Sequence, residues 1–347
     1  MPSKIVSETK EKKAAWKKVV LYVLVSIMIL IGSGFLYEAI ASKLAEQDFP
    51  MPGKLVDVAS GAYQLHIQRT GQGGPVILLE SGSGGISTLW GDIPAQLAPF
   101  ATVVAYDRAG YAWSGKAATE RTGANIVQEL HEALDKEGIH GPYILVGHSL
   151  GGMYARLFAQ TYRDETVGLV LLDARHEDYG REAEPIYAQE PRQAMPSAFM
   201  LSLLKHSGIM RLFQDSFLEG VAPPEKRSEF INVIGTADYF DAVEEEFRLI
   251  GQTEQALRGQ KLGNLPVRII ARGVQPDLTS IGFSKEGSRK LDDIWQACQR
   301  KMLNLSTDSK LIVASNSGHN ISDDEPELVV RVIRELLASV RPKAEAD

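Results

Sequence analysis

Residues 143–152 read YILVGHSLGG, and the fold turns on this stretch. Tyr143 to Val146 is short and apolar, the pattern of a buried strand. MYARLFAQTY, from Met153 to Tyr162, carries apolar residues at helical spacing. Between them stands Gly147-His148-Ser149-Leu150-Gly151, a serine bracketed by glycines where strand gives way to helix. A sharp turn there strains the backbone of its central residue and leaves room only for small neighbours. It also lifts the Ser149 hydroxyl above the strand ends, at the N-terminus of the following helix. Free N–H groups and the helix dipole favour developing negative charge at that point. The geometry suits a nucleophile, against the plainer alternative of a glycine turn kept for packing.

The flanking sequence repeats the strand-helix alternation. KLVDVASGAYQLHIQRTG (54–71) reads as two strands joined at Ser60-Gly61. PVILLESG (75–82) is an apolar strand entering a glycine-rich loop, and ATVVAYDRAG (101–110) is another strand, ending at Tyr106-Asp107. ANIVQELHEALDKEGI (124–139) is an amphipathic helix stopping near Gly138. VGLVLLDA (167–174), LPVRIIARG (265–273) and SKLIVASNSG (309–318) supply three further strands, and ELVVRVIRELLASV (327–340) closes the chain as a helix. Apolar strands alternating with helices after an opening hairpin predict an α/β protein, a mostly parallel sheet covered on both faces. The core is expected over 54–173 and 263–347. Residues 174–262 lack a convincing strand but carry helical periodicity, for example PSAFMLSLLKHSGIMRLFQDSF (196–217). They are expected to form a helical cap roofing a pocket at the strand ends.

The 347 residues are 44% hydrophobic, ample for a core. The single cysteine, Cys298, excludes an internal disulfide framework and a cysteine zinc cluster, and reads as a small core residue. Val19 to Tyr37 contains 19 residues without a charge. As a helix this run spans about 28 Å, close to the roughly 30 Å hydrocarbon core of a bilayer. Residues 1–18 hold six lysines against Glu8 and Glu11, a net of +4. The positive-inside rule therefore predicts a cytoplasmic tail (1–18), a transmembrane anchor (19–37), a linker (38–53) and an extracytoplasmic body. A signal peptide cleaved after Ala39-Ile40-Ala41 is the rival reading, disfavoured by the length of the apolar run. The net charge of −7 leaves −11 for the body, which argues against a nucleic-acid partner.

A serine hydroxyl needs a base within hydrogen-bond reach, itself oriented by an acid. Of seven histidines, His319 in VASNSGHNISDDEP follows the last strand, at the sheet edge where Ser149 is expected. His66, His131, His140, His176 and His206 fall elsewhere, and His148 is expected to point away from Ser149. Two acids compete. Asp173 ends the strand after the serine helix, and Asp277 lies in the loop after the next strand. Asp173 is favoured because a strand tip fixes position better than a loop; Asp277 stays as the alternative. The oxyanion donors are expected at the N–H of Leu150 and, from the ESGSGG loop, of Ser83. Losing one such donor typically costs about 3 to 4 kcal/mol of transition-state stabilisation. Gly82, Gly84 and Asp107 hint at a dinucleotide site, but Ser87 occupies the place of the third glycine. No cofactor and no metal are expected.

The motifs LVGHSLGG, YDRAGYAWSG (106–115), VGLVLLDA and SNSGH, in that order, resemble the α/β-hydrolase family over roughly 54 to 342. The resemblance implies an eight-stranded sheet with a variable cap after the sixth strand, and a Ser-acid-His triad in chain order. Many members carry His-Gly where this chain has Ser81-Gly82. Many place the acid after the seventh strand, whereas some dehalogenase-like members place it at the tip of the sixth, as with Asp173. Dehalogenases and epoxide hydrolases of the fold use an aspartate nucleophile, so Ser149 argues against both. Hydrolysis of an ester or related acyl bond of a small molecule is the expectation. The alternatives are C–C bond hydrolysis, cofactor-free peroxidation, or ligand binding without turnover. Oligomeric state is not legible.

Overall fold

A computed structural model of the chain describes residues 2–190, 196–219 and 224–341. Parts of the basic tail and of the expected cap, at Met1, 191–195 and 220–223, lie outside the described residues. The chain divides into two compact units, one of residues 1–50 with 197–237, the other of 51–196 with 238–347.

In chain order the first unit begins with helix α1 (Pro2–Ala45). The second then supplies β1 (Lys54–Val58), β2 (Tyr63–Thr70), β3 (Val76–Glu80), α2 (Ile93–Leu97), β4 (Val103–Asp107), α3 (Gly123–Lys136), β5 (Tyr143–His148), α4 (Leu150–Thr161), β6 (Thr166–Leu172) and α5 (Tyr179–Gln189). The first unit resumes with α6 (Ala198–His206), α7 (Ile209–Leu212), α8 (Gln214–Phe217) and α9 (Arg227–Glu229). Then follow α10 (Ala237–Leu257), β7 (Val267–Arg272), α11 (Lys285–Lys301), β8 (Ser309–Ala314), α12 (Ile321–Asp324) and α13 (Pro326–Val340).

The eight strands form one sheet in the order β1-β2-β4-β3-β5-β6-β7-β8. The β1–β2 and β2–β4 pairs are antiparallel and the others parallel. The opening hairpin thus supplies the antiparallel edge, and the apolar strands supply the parallel remainder. Alternate residues of each strand point to opposite faces. Leu78, Val104, Leu145, Leu169 and Ile269 pack with residues of α3 and α4 on one face. Ile77, Val103, Ile144, Val170 and Ile270 pack with α2 and α13 on the other. Fully apolar strands need cover on both sides, and the two helical layers provide it.

The first unit differs from the expected boundaries. The helix does not stop at the end of the apolar run but continues from Tyr37 through Ala45, into the stretch expected as linker. Nothing between Glu38 and Ala45 breaks a helix: there is no glycine or proline, and three of the eight residues are alanine. Trp16–Ala45 is long and apolar enough to cross a membrane, and the most apolar part of it is unburied.

Candidate active site

The serine turn takes the conformation its glycines permit. Ser149 has φ 52° and ψ −122°, a strained backbone for a residue with a side chain. A Cβ on Gly147 would lie 2.6 Å from the Gly151 carbonyl oxygen, and one on Gly151 would lie 2.4 Å from that of Ser81. Both glycines are therefore required by close backbone approach. The half-buried Ser149 sits just past the C-terminal end of β5, with α4 beginning at Leu150.

Three side chains from three strand ends meet there. His319 Nε2 lies 3.0 Å from Ser149 Oγ, and His319 Nδ1 lies 2.6 Å from Asp173 Oδ2. Because Nδ1 faces a carboxylate it carries the proton, which leaves Nε2 free to accept from the serine hydroxyl. Asp173 follows β6 with φ 37°, again a strained position for a non-glycine residue, and is fully buried. Trp295 Nε1 donates to Asp173 Oδ1 at 2.9 Å, and Arg272 Nη1 donates to Oδ2 at 2.5 Å. Burial alone would raise this carboxyl. The His319 hydrogen bond, the Arg272 charge and the Trp295 hydrogen bond outweigh burial and hold the group below the usual carboxylate range. Arg272 is in turn balanced by Asp292, 2.7 Å from its Nη2.

Asp277 is elsewhere. Its carboxylate is exposed and accepts from the backbone N–H and the hydroxyl of Thr279 at 2.9 and 2.7 Å. The structure thus brings Asp173, and not Asp277, to His319.

Leu150 opens α4, and Ser83 lies in the loop after β3. A Cβ on Gly82, beside Ser83, would sit 3.1 Å from Ser149 Cβ. Arg108 pins this loop, donating to the carbonyl oxygens of Ser81 and Gly82 at 2.7 and 2.8 Å. The same buried guanidinium contacts Glu80 Oε1 at 2.8 Å and Glu246 Oε1 at 2.9 Å. From α10, Tyr239 adds a hydrogen bond to the Gly84 carbonyl oxygen at 3.3 Å. One guanidinium between two buried carboxylates leaves a surplus of negative charge. Burial, with the Glu246 charge adding to it, pushes Glu80 up to about 7 against the opposing pull of Arg108 and Tyr106.

His148 bonds the loop after β8 and not Ser149: its Nε2 donates to the backbone oxygen of His319 at 2.9 Å, fixing the loop that presents the imidazole. Burial, with the neighbouring His319 adding to it, pushes His148 down to about 4, so it stays neutral in this role. Asp324 Oδ2 holds the same loop by accepting from the Gly318 N–H at 2.8 Å.

Sequence reasoning also missed Arg108, Glu80, Glu246, Arg272 and Trp295. Arg108 lay within a motif already singled out, and Arg272 is a charge closing an apolar strand, which needs a buried partner. Trp295 and Glu246 gave no local signal. Asp107, the acid of the dinucleotide hint, is held by His66 Nδ1 at 2.7 Å and by the N–H of Ser87 at 2.7 Å. Among the described residues no group of His, Cys, Asp and Glu is arranged to hold a metal ion.

An uncharacterized Bacillus subtilis protein, YqjL, is 27% identical over 269 residues, 76% of this chain and 85% of that protein. Two solved structures share the fold. An esterase from Thermogutta terrifontis has 20% identity and a TM-score of 0.58 over 83% of this chain and 99% of its own. A variant of a Bacillus megaterium epoxide hydrolase has 17% identity and a TM-score of 0.58 over 82% of this chain and 100% of its own. Residues 76–332, more than half of the chain, match the alpha/beta hydrolase family model, and the protein belongs to that family.

Proposed function

We propose that the protein is a serine hydrolase cleaving carboxylic esters or related acyl bonds of a small-molecule substrate, with Ser149, His319 and Asp173 as its triad. The observation that carries this reading is the continuous line of hydrogen bonds from Ser149 Oγ through the His319 ring to Asp173. Ser149 Oγ attacks the acyl carbon while His319 Nε2 takes its proton, and Asp173 steadies the resulting imidazolium. The N–H groups of Leu150 and Ser83 hold the oxyanion. The alkoxide leaves with the proton from His319, giving an acyl-enzyme. Water, deprotonated by the same imidazole, releases the acid and restores the serine. The chemistry requires no cofactor.

The same reading makes α1 a single-pass anchor, with the lysine-rich N-terminus cytoplasmic and the catalytic unit on the opposite side. It assigns no nucleic-acid partner.

A slowly deacylating ester offered to the detergent-solubilised protein tests the chemistry. The expected result is a mass increase equal to the acyl group on the peptide containing Ser149, absent in Ser149→Ala. Turnover that persists in Ser149→Ala would contradict the proposal.

A further inference from the structure

Helix α6 is inside out. Its buried positions are Ala198 and Lys205, seven residues apart and so on one face. Phe199, Met200 and Leu203 face outward, with Phe199 75% exposed. Apolar exposure continues at the end of α7 and just after it, where Leu212 and Phe213 are 63% and 59% exposed. A helix facing water buries its apolar stripe and exposes its charges, and here the order is reversed.

The buried charge has a partner on α1. Glu38 is buried and receives Arg211 Nε and Nη2 at 2.7 and 2.9 Å, together with the Lys205 ammonium. The Ser42 hydroxyl donates to the same carboxylate at 3.0 Å. Backbones also meet closely, since a Cβ on Gly34 would lie 2.4 Å from the Ser207 carbonyl oxygen. All these α1 contacts fall between residues 34 and 42, at the end of the uncharged run that closes with Tyr37. The segment is therefore fastened to α1 where its apolar length ends, with its own apolar side turned outward.

We propose that α6, α7 and α8 form an in-plane membrane platform, with Phe199, Met200, Leu203, Leu212 and Phe213 immersed at the acyl-chain and headgroup boundary of the bilayer. This rests on α1 crossing that bilayer. An amphipathic element at this depth needs an apolar face and a polar face kept out of the hydrocarbon. Here the two cations of the polar face, Lys205 and Arg211, share Glu38 at the level where the anchor leaves the lipid, which leaves a single positive charge facing the headgroups. A second copy of the chain on the same face is the competing occupant, and the test separates the two.

Single cysteines at Leu203→Cys, Phe213→Cys, Ile29→Cys and Gln255→Cys, in a full-length Cys298→Ala background, would carry an environment-sensitive fluorophore in phosphatidylcholine vesicles. Quenchers are placed at a shallow or a deep position on the lipid acyl chain, or dissolved as iodide. The account predicts that probes at 203 and 213 emit to the blue and lose at least half their intensity to the shallow lipid quencher, with little loss to iodide. The probe at 29 should respond to the deep quencher, and the probe at 255 to iodide alone. Iodide quenching at 203 and 213, with 29 still lipid-quenched, would overturn the platform and leave the anchor standing. Energy transfer between copies labelled at 203, without lipid quenching there, would assign the face to a second chain and overturn it equally. Absence of lipid quenching at 29 would remove both readings.

Discussion

Asp173 and Asp277 each follow a parallel strand of the same sheet, β6 and β7, yet only one of them is held. Asp173 sits directly on the strand tip, buried, with Arg272, Trp295 and His319 donating to it. Asp277 lies five residues past Arg272 and closes a local turn with Thr279. The difference shows what the proposed role of triad acid requires beyond position in the chain. Desolvation strengthens its hold on an imidazolium, and fixed donors keep it ionised despite burial. An exposed carboxylate satisfied by its own turn supplies neither.

The largest expected effect breaks the comparison directly. Asp173→Asn should lower kcat/KM on the order of 10⁴-fold, by turning the imidazole to the wrong tautomer. Asp277→Asn should leave ester turnover within about twofold. Equal losses in the two variants, measured side by side, would remove the distinction. Arg272→Gln tests the support of the acid. Breaking a buried ion pair leaves Asp173 short of a partner and should cost about 3 kcal/mol of stability. The measurement is a denaturant melt, in which an unchanged midpoint would count against the role given to Arg272.

A third carboxylate, buried like Asp173, sharpens the comparison from the opposite side, with the smallest effect. Asp173 is held below the usual range, whereas Glu80 is raised to about 7. Between its ordinary value near 4.5 and about 7, Glu80 keeps its proton when folded and loses it when unfolded. Stability should therefore fall as pH rises through that window and level off above it. Glu80→Gln should lack this fall, and melts from pH 4.5 to 8 would reveal parallel curves if the account is wrong.

Much of the sheet was legible because its signal is local. A change from a continuous apolar run to 3.6-residue spacing, with glycines at the change, marks β5, the Ser149 turn and α4 within residues 143–162. His319 was legible as the histidine following the last strand. The acid was not decidable in the same way, because Trp295 and Arg272 reach Asp173 from 122 and 99 residues along the chain. The partner of His148 was hidden for the same reason, being a backbone oxygen 171 residues away. In α6 the spacing identified a helix but gave no direction. Burying Lys205 and exposing Phe199 follows from the ion pair with Glu38, which helical periodicity does not encode.

The central claim is that His319, oriented by Asp173, activates Ser149. The most direct measurement treats the full-length detergent-solubilised protein with a fluorophosphonate and maps the labelled peptide by mass spectrometry. The account predicts one label, on Ser149, formed rapidly in the native protein and lost in His319→Ala. A folded protein that stays unlabelled, or carries its label on another serine, would contradict it.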